Sequence, residues 1–500
     1  VQIRKSLLTT VTLLYIYIPI IFFICGWTNL GICSVTMLAI IYNFWHMHSR
    51  GKISDEKISI DIVVFIFTIL FFAWVGFYAG WGRFVDQTSD WNKHNAVLYD
   101  LVNLKWPVYY VNGSEHSMLV YYIAQYIVPA VFGKIVGTVR AAEVMFYIWN
   151  EIGLLLVYIH VLALVNSKNF IMQYVISFMI PMFSIPLWIS EYILKIVTDI
   201  DRIEEGMWFF EKDGILIQYS NNFTLLHWVV PQVIVCWLII ELFLENRECI
   251  DLYMFLFLPG ILFGTLSFLG IIPIIGSYVL ARLIKDNNKM YIVKGILSLD
   301  NIVLFISLGI VIVLYFYGNI MGKKPETIGF SMQPYNGKNI IYFIFVIVNI
   351  LIYAIILFND NKNNCIFYSV IIELMVLPLF KLGKWNDLVM RVSIPGLFLL
   401  MIFILRYLNE KILSANKKVF NKLLNMILIM FLIVGMYYPF QELSASCKSY
   451  DPSRLGHGNE WSTMEKFANR QISESDDVKY NYYAYDIENN LFYKYIARKR

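Results

Sequence analysis

What governs this sequence is the recurrence of apolar runs long enough to cross a lipid bilayer. A helix needs about 20 consecutive apolar residues to span the hydrocarbon core. Such windows occur at 7–25, 29–45, 58–78, 141–165, 170–189, 223–244, 251–270, 300–319, 339–358, 365–380, 392–408 and 423–440, with 271–284 as a shorter candidate. Lipid offers the backbone no hydrogen-bond partners, so each run is expected to close its own bonds as a helix. The predicted fold is therefore an all-α polytopic integral membrane protein of about 13 transmembrane helices. A further apolar stretch, 118–136, is interrupted by Pro129, Gly133 and Lys134 and reads as a re-entrant or juxtamembrane half-helix. Composition excludes a string of soluble domains: charged residues make up 15% of the chain, where about 25% is ordinary.

Thirteen crossings put the two ends of the chain on opposite sides. Lys and Arg are densest in the short segments around Arg4, Lys5, Arg50, Lys52, Arg282, Lys285 and Lys411–Lys422. The rule that such loops face the cytoplasm sets the N-terminus inside and the C-terminus outside a plasma membrane. Residues 1–57 then form an N-terminal helical hairpin, 58–440 a transmembrane domain, and 441–500 a small extracytoplasmic tail. The first apolar run follows Arg4 and Lys5 as a signal peptide would, but no small-residue cleavage site follows, so it reads as a retained helix. A net charge of +4 gives no reason to expect nucleic acid. The spacing of the six cysteines resembles neither a metal site nor a disulfide framework.

Long polar segments all fall on the outer side, which marks that side as the working one. The first outer loop, 79–117, crowds Asp86, Asp90, Lys93, His94, Asp100, Glu115 and His116 just beyond a transmembrane helix. Within it Val97, Leu98, Leu101, Val102 and Leu104 recur at helical spacing up to Pro107. That pattern predicts a short amphipathic helix on the outer membrane face. Asp90 stands at its start, where its carboxylate serves either as a helix N-cap or as a general base beside a cation-lined pocket. His94, one turn on, joins the catalytic candidates as a hydrogen-bonding neighbour, and Asp100 is expected to be solvated.

The segments SDWNKHNAVLYDL, IQYSNNFTLLHWVVPQ (217–232) and NDLVMRVSIP (386–395), with the order of a helix, a long acidic outer loop and a half-helix, resemble the C-type (GT-C) glycosyltransferase superfamily. Protein O-mannosyltransferases and aminoarabinose transferases belong to it. The resemblance extends over most of 58–410. It implies a membrane glycosyltransferase that moves a sugar from a polyprenyl-phosphate donor to an extracytoplasmic glycan, lipid or protein acceptor by an inverting displacement. Asp90 would hold the position of the first-loop catalytic aspartate, with Asp86 as competitor. Two departures stand out: two extra helices precede the one that should be first, and the loop lacks the paired acidic dipeptide of the aminoarabinose-type enzymes.

Other outer segments supply further candidates. Lys381, Lys384 and Arg391 surround Trp385 and Asp387; cations there suit a lipid phosphate or ordinary headgroup anchoring. In the second outer loop, 190–222, Gln218, Tyr219 and Asn222, followed by Trp228 and Gln232, form a polar and aromatic set suited to sugars or to an interfacial belt, and Trp385 joins them as a sugar- or acceptor-binding candidate. Asp199 and Asp201 are weak ligands for a possible divalent cation. The tail is expected to carry a helix at 461–470 and a hairpin at 478–497. Glu151 and Glu373 fall near the middle of apolar runs, which keeps a proton- or ion-coupled transporter in view. A membrane polysaccharide polymerase is the other alternative.

Overall fold

Helix α1 (Lys5–Trp27) shows the governing rule at once: 23 residues at about 1.5 Å each give a rod roughly 34 Å long, enough to cross a bilayer core. The structure is a computed structural model that describes residues 1–49, 56–85, 87–88, 90–112, 115–197, 208–210, 215–321, 329–383, 386–412, 422–450, 463–464, 482–485 and 487–499. After α1 come α2 (Leu30–Ser49), α3 (Ile62–Tyr78), α4 (Trp91–Asn103), α5 (Ala124–Val136), α6 (Val139–Val165), α7 (Phe170–Met182) and α8 (Leu187–Val197). They are followed by α9 (Asn222–Trp228), α10 (Val230–Asn246), α11 (Tyr253–Phe257), α12 (Gly260–Phe263), α13 (Thr265–Lys285), α14 (Lys289–Ile296), α15 (Leu299–Leu304) and α16 (Ile310–Met321). The last are α17 (Asn339–Val346), α18 (Ile352–Asn361), α19 (Cys365–Val376), α20 (Asp387–Tyr407), α21 (Lys422–Gly435) and α22 (Tyr437–Lys448).

Among the described residues, eight helical segments are long and apolar enough to cross a membrane, or nine if the bent pair α7–α8 makes one crossing. The chain is a mainly helical, multi-pass membrane protein. Side chains at helix starts satisfy backbone N–H groups that the helices leave open: Asp61 accepts from Val63 at 2.8 Å, Asn169 from Ile171 and Asn221 from Thr224, both at 2.9 Å.

Short antiparallel strand pairs close the ends. β1 (Gln2–Arg4) pairs with β2 (Lys57–Ser59), and β3 (Tyr109–Asn112) with β4 (Glu115–Leu119). β5 (Trp208–Phe210) pairs with β6 (Leu216–Gln218), and β7 (Phe330–Met332) with β8 (Phe380–Leu382). β9 (Tyr483–Tyr485) adds to β4, giving the order β3-β4-β9.

Polar segments sort to two ends of the bundle. At one end the Val1 ammonium donates to Ile60 O at 2.8 Å, Lys5 pairs with Glu56 at 2.5 Å, Arg406 donates to Leu164 O at 3.1 Å, and Lys411 pairs with Asp360 at 2.9 Å. At the other, Arg498 N donates to Trp27 O at 2.9 Å, Tyr450 packs on Tyr78, and Asn386 donates to Leu216 O at 2.6 Å.

Several expected boundaries are corrected. The windows 251–270 and 271–284 are divided elsewhere: the backbone is extended at Gly264, which ends α12, and α13 runs unbroken from Thr265 to Lys285. A Cβ on Gly264 would lie 2.8 Å from the Gln232 side chain, so the close approach of α10 sets the break. The half-helix begins at Ala124, not 118, because Met118 and Leu119 belong to β4. α8 carries helix into what was expected to be the second outer loop, bent by 52° from α7. Among the described residues of 478–497, where a hairpin was expected, β9 pairs instead with β4 of the first outer loop. Most of 461–470 lies outside the described residues.

The amphipathic helix α4 turns its apolar side chains into the protein. It is packed against α5 and α6, and Val97, Leu98, Leu101 and Val102 are buried there. Lys134 of α5 donates to Val102 O at 2.9 Å and Leu104 O at 2.6 Å, neutralising carbonyls at the end of α4. α5 turns into α6 at Gly137 (φ +82°), a left-handed conformation that suits glycine. Gly133 lets the two helices touch: a Cβ there would meet Ala142 Cβ at 2.7 Å and Val102 Cγ2 at 3.0 Å. Gly133→Leu is therefore expected to force α4, α5 and α6 apart and cost about 1–3 kcal/mol, read as a lower thermal midpoint in detergent.

Candidate functional site

Three side chains on the first turn of α4 define the site. Asp90 sits at the N-cap position but makes no capping hydrogen bond, so the capping role is not realised and its carboxylate pairs with Lys93 instead. Its side chain is 43% exposed, while Lys93, with Nζ 3.5 Å from Asp90 Oδ1, is only 10% exposed. A second cation, Arg391, lies 15% exposed on α20 and pairs with Asp387 at 3.1 Å. Arg391 Nε is buried without a hydrogen-bond partner. Both cations lie within electrostatic range of Asp90.

Tyrosines close the cluster. Tyr121 and Tyr122 are hydrogen-bonded to each other, their rings 3.6 Å apart, and Tyr482 packs on Tyr121 at 5.3 Å. α16 fixes the segment that carries them: Tyr315 OH accepts from Tyr121 N at 3.1 Å, and Asn319 donates to Val120 O at 2.9 Å. Burial works against charge on Lys93, yet Tyr122, Tyr482 and Asp90 around it hold its pKa above the ordinary lysine value. The result is a cluster of two largely buried cations, each paired with a half-exposed carboxylate, Asp90 or Asp387.

His94 is a positioning residue. Nε2 donates to Trp228 O at 2.9 Å and Nδ1 accepts from Tyr126 OH, so both ring nitrogens of the neutral imidazole are spent. Burial, reinforced by the neighbouring Lys93 charge, lowers its pKa to about 3.

The loop before α4 is held by charge and amides. Glu143 of α6 pairs with Arg83 at 3.3 Å and Arg140 at 3.0 Å, and Arg140 donates to Gly82 O at 2.7 Å. Gln87 donates to Gly80 O at 2.6 Å and accepts from Asn95 at 2.7 Å. Beside this loop lies a cavity of about 430 Å³ lined by Thr88, His227, Trp228, Tyr438, Gln441 and Glu442, among others. Thr88 Oγ1 is buried there without a partner. Glu442 accepts from Thr224 Oγ1 and lies 3.3 Å from His227 Nδ1.

Other expected site residues fare differently. Asp100 is buried, not solvated: it accepts from Tyr110 OH at 2.7 Å and from Met464 N at 2.9 Å. Gln218, Tyr219, Asn222 and Gln232 do not form a surface for sugars, because all four are buried. Tyr219 OH donates to Leu374 O and Asn222 to Ile180 O, each at 2.6 Å, so these polar groups tie helices together. Trp228 of that set lines the 430 Å³ cavity. Lys381 lies in β8 beside the entry to α20. Asp86, Asp199, Asp201, Lys384 and Trp385 lie outside the described residues. Tyr121, Tyr122, Tyr482 and Glu442 were not anticipated; the Tyr121-Tyr122 pair next to the interrupted apolar stretch was the one available signal.

For a cation, His46, Asp251 and Asp300 bring one ring nitrogen and two carboxylate oxygens within 4.8 Å of one another at the opposite end of the bundle. His46 Nδ1 is hydrogen-bonded to Asp300, which accounts for that approach without an ion. No family model, curated protein or solved structure matches this chain.

Because folded His94 protonates only near pH 3 while the unfolded chain takes up that proton near about 6.5, the unfolded state binds more protons between those values. Stability from this group is complete above the unfolded pKa and is lost as pH falls through the window. The thermal midpoint is expected to drop on acidification across it. His94→Gln, which keeps one donor and one acceptor, should flatten that dependence.

Proposed function

We propose that the chain is a GT-C-type membrane glycosyltransferase, working at the end of the bundle that holds Asp90. One observation carries the reading: the half-exposed Asp90 carboxylate is ion-paired with the largely buried Lys93 and lies within electrostatic range of a second such cation, Arg391. A sugar leaving a polyprenyl phosphate needs both kinds of group. The base takes the proton from the acceptor hydroxyl as that oxygen attacks the anomeric carbon. The cations hold the departing phosphate and offset its growing charge. A single displacement inverts the anomeric centre.

The cavity beside Thr88, Trp228 and Glu442 would receive the acceptor, since hydroxyl, amide and indole groups suit a polyol. If that acceptor is a growing glycan, the same site serves a polysaccharide polymerase. In this reading the helices make thirteen crossings of a plasma membrane, the N-terminus is cytoplasmic, and the site faces outward.

The test is transfer from radiolabelled polyprenyl-phosphate sugars in proteoliposomes. Asp90→Asn is expected to lower the rate by roughly 10²–10⁴-fold, and Arg391→Gln to weaken donor use. Full activity in Asp90→Asn would refute the proposed base. A transporter remains the second reading because carboxylate oxygens of Glu151, Glu241 and Glu373 are buried without partners. Ion-coupled uptake in liposomes that is abolished in Glu373→Gln would replace the first reading with the second.

A further inference from the structure

At the end opposite Asp90, a cavity of about 580 Å³ opens between the ends of α10, α18 and α20. Arg247, Arg406 and the run from Asn359 to Asn364 line it, with Phe403, Tyr407 and Glu410. Its donors are largely uncommitted. Arg406 spends Nε on Leu164 O at 3.1 Å, and the rest of its guanidinium has no hydrogen bond or ion pair among the described residues. Arg247 stacks toward the Tyr278 ring at 5.9 Å, and its guanidinium likewise has no hydrogen bond or ion pair there.

The carboxylates nearby offset these charges only in part: Asp360 is engaged by Lys411 at 2.9 Å, Glu410 lies within electrostatic range of Arg406 and Glu248 within that of Arg247, and Lys362 adds a further cation to the lining. Arg247 lies within electrostatic range of Arg406, so like charges face each other across the cavity. An oxyanion between them would relieve that repulsion and take up forked N–H donors, with the asparagine amides completing its shell.

We propose that this cavity binds a phosphate group. The chemistry fits two sources alike, the headgroup of an anionic lipid or a free phosphate compound. Neither depends on the glycosyltransferase reading, because the cavity lies at the far end of the bundle from Asp90.

The full chain in detergent, titrated with inorganic pyrophosphate, tests the second source. Nanodiscs of phosphatidylglycerol against phosphatidylcholine, read by lipid retention in native mass spectrometry, test the first. Arg406→Gln removes a partly structural side chain, so Arg247→Gln, which breaks no hydrogen bond, is the control that keeps its fold. Saturable pyrophosphate binding weakened about tenfold in either variant, equal to about 1.4 kcal/mol per lost contact, assigns the site to free phosphates. Selective phosphatidylglycerol retention lost in either variant assigns it to lipid. Binding of neither probe, or binding unchanged in both variants, overturns the proposal.

Discussion

Everything in this molecule follows from the absence of backbone partners in lipid. Each N–H and C=O within the bilayer must be satisfied by the chain itself, which makes helices of the apolar runs and drives other backbone geometry to the two ends. The strand pairs obey this: β1–β2 closes one end, and β3-β4-β9 and β7–β8 the other. Where the chain is extended inside the bundle, as at Gly264, packed helices shield it.

Charge is governed by the same scarcity of solvent. Burying an ion costs several kcal/mol unless a counter-charge or hydrogen bonds offset it. Lys93 and Arg391, drawn from residues far apart in the chain, are nevertheless largely buried near one another. Their carboxylate partners, Asp90 and Asp387, are each about half exposed, so compensation within the protein is incomplete.

Much of the helical framework was legible in the sequence because hydropathy is a local property. Asp90 and Arg391 stood out in the sequence as charges beside apolar runs, and the structure brings them within electrostatic range of each other. The polar set at 218–232 misled for an instructive reason. Amides and phenols that suit sugars also suit backbone carbonyls, and burial decided for the latter at Tyr219 and Asn222. Asp100 misled likewise, because its partners Tyr110 and Met464 come from separate segments.

By itself, the sequence determined that the chain is a mainly helical protein that crosses the membrane many times, because apolar length and backbone satisfaction leave no other solution. Tertiary structure alone decided that α4 is buried against α5 and α6, that Asp90 makes no capping bond, and that Arg391 of α20 comes within electrostatic range of it. It also decided that Tyr122 and Tyr482 surround Lys93. These are contacts between residues tens to hundreds of positions apart, set by how helices pack, and no local pattern of hydropathy or charge encodes them.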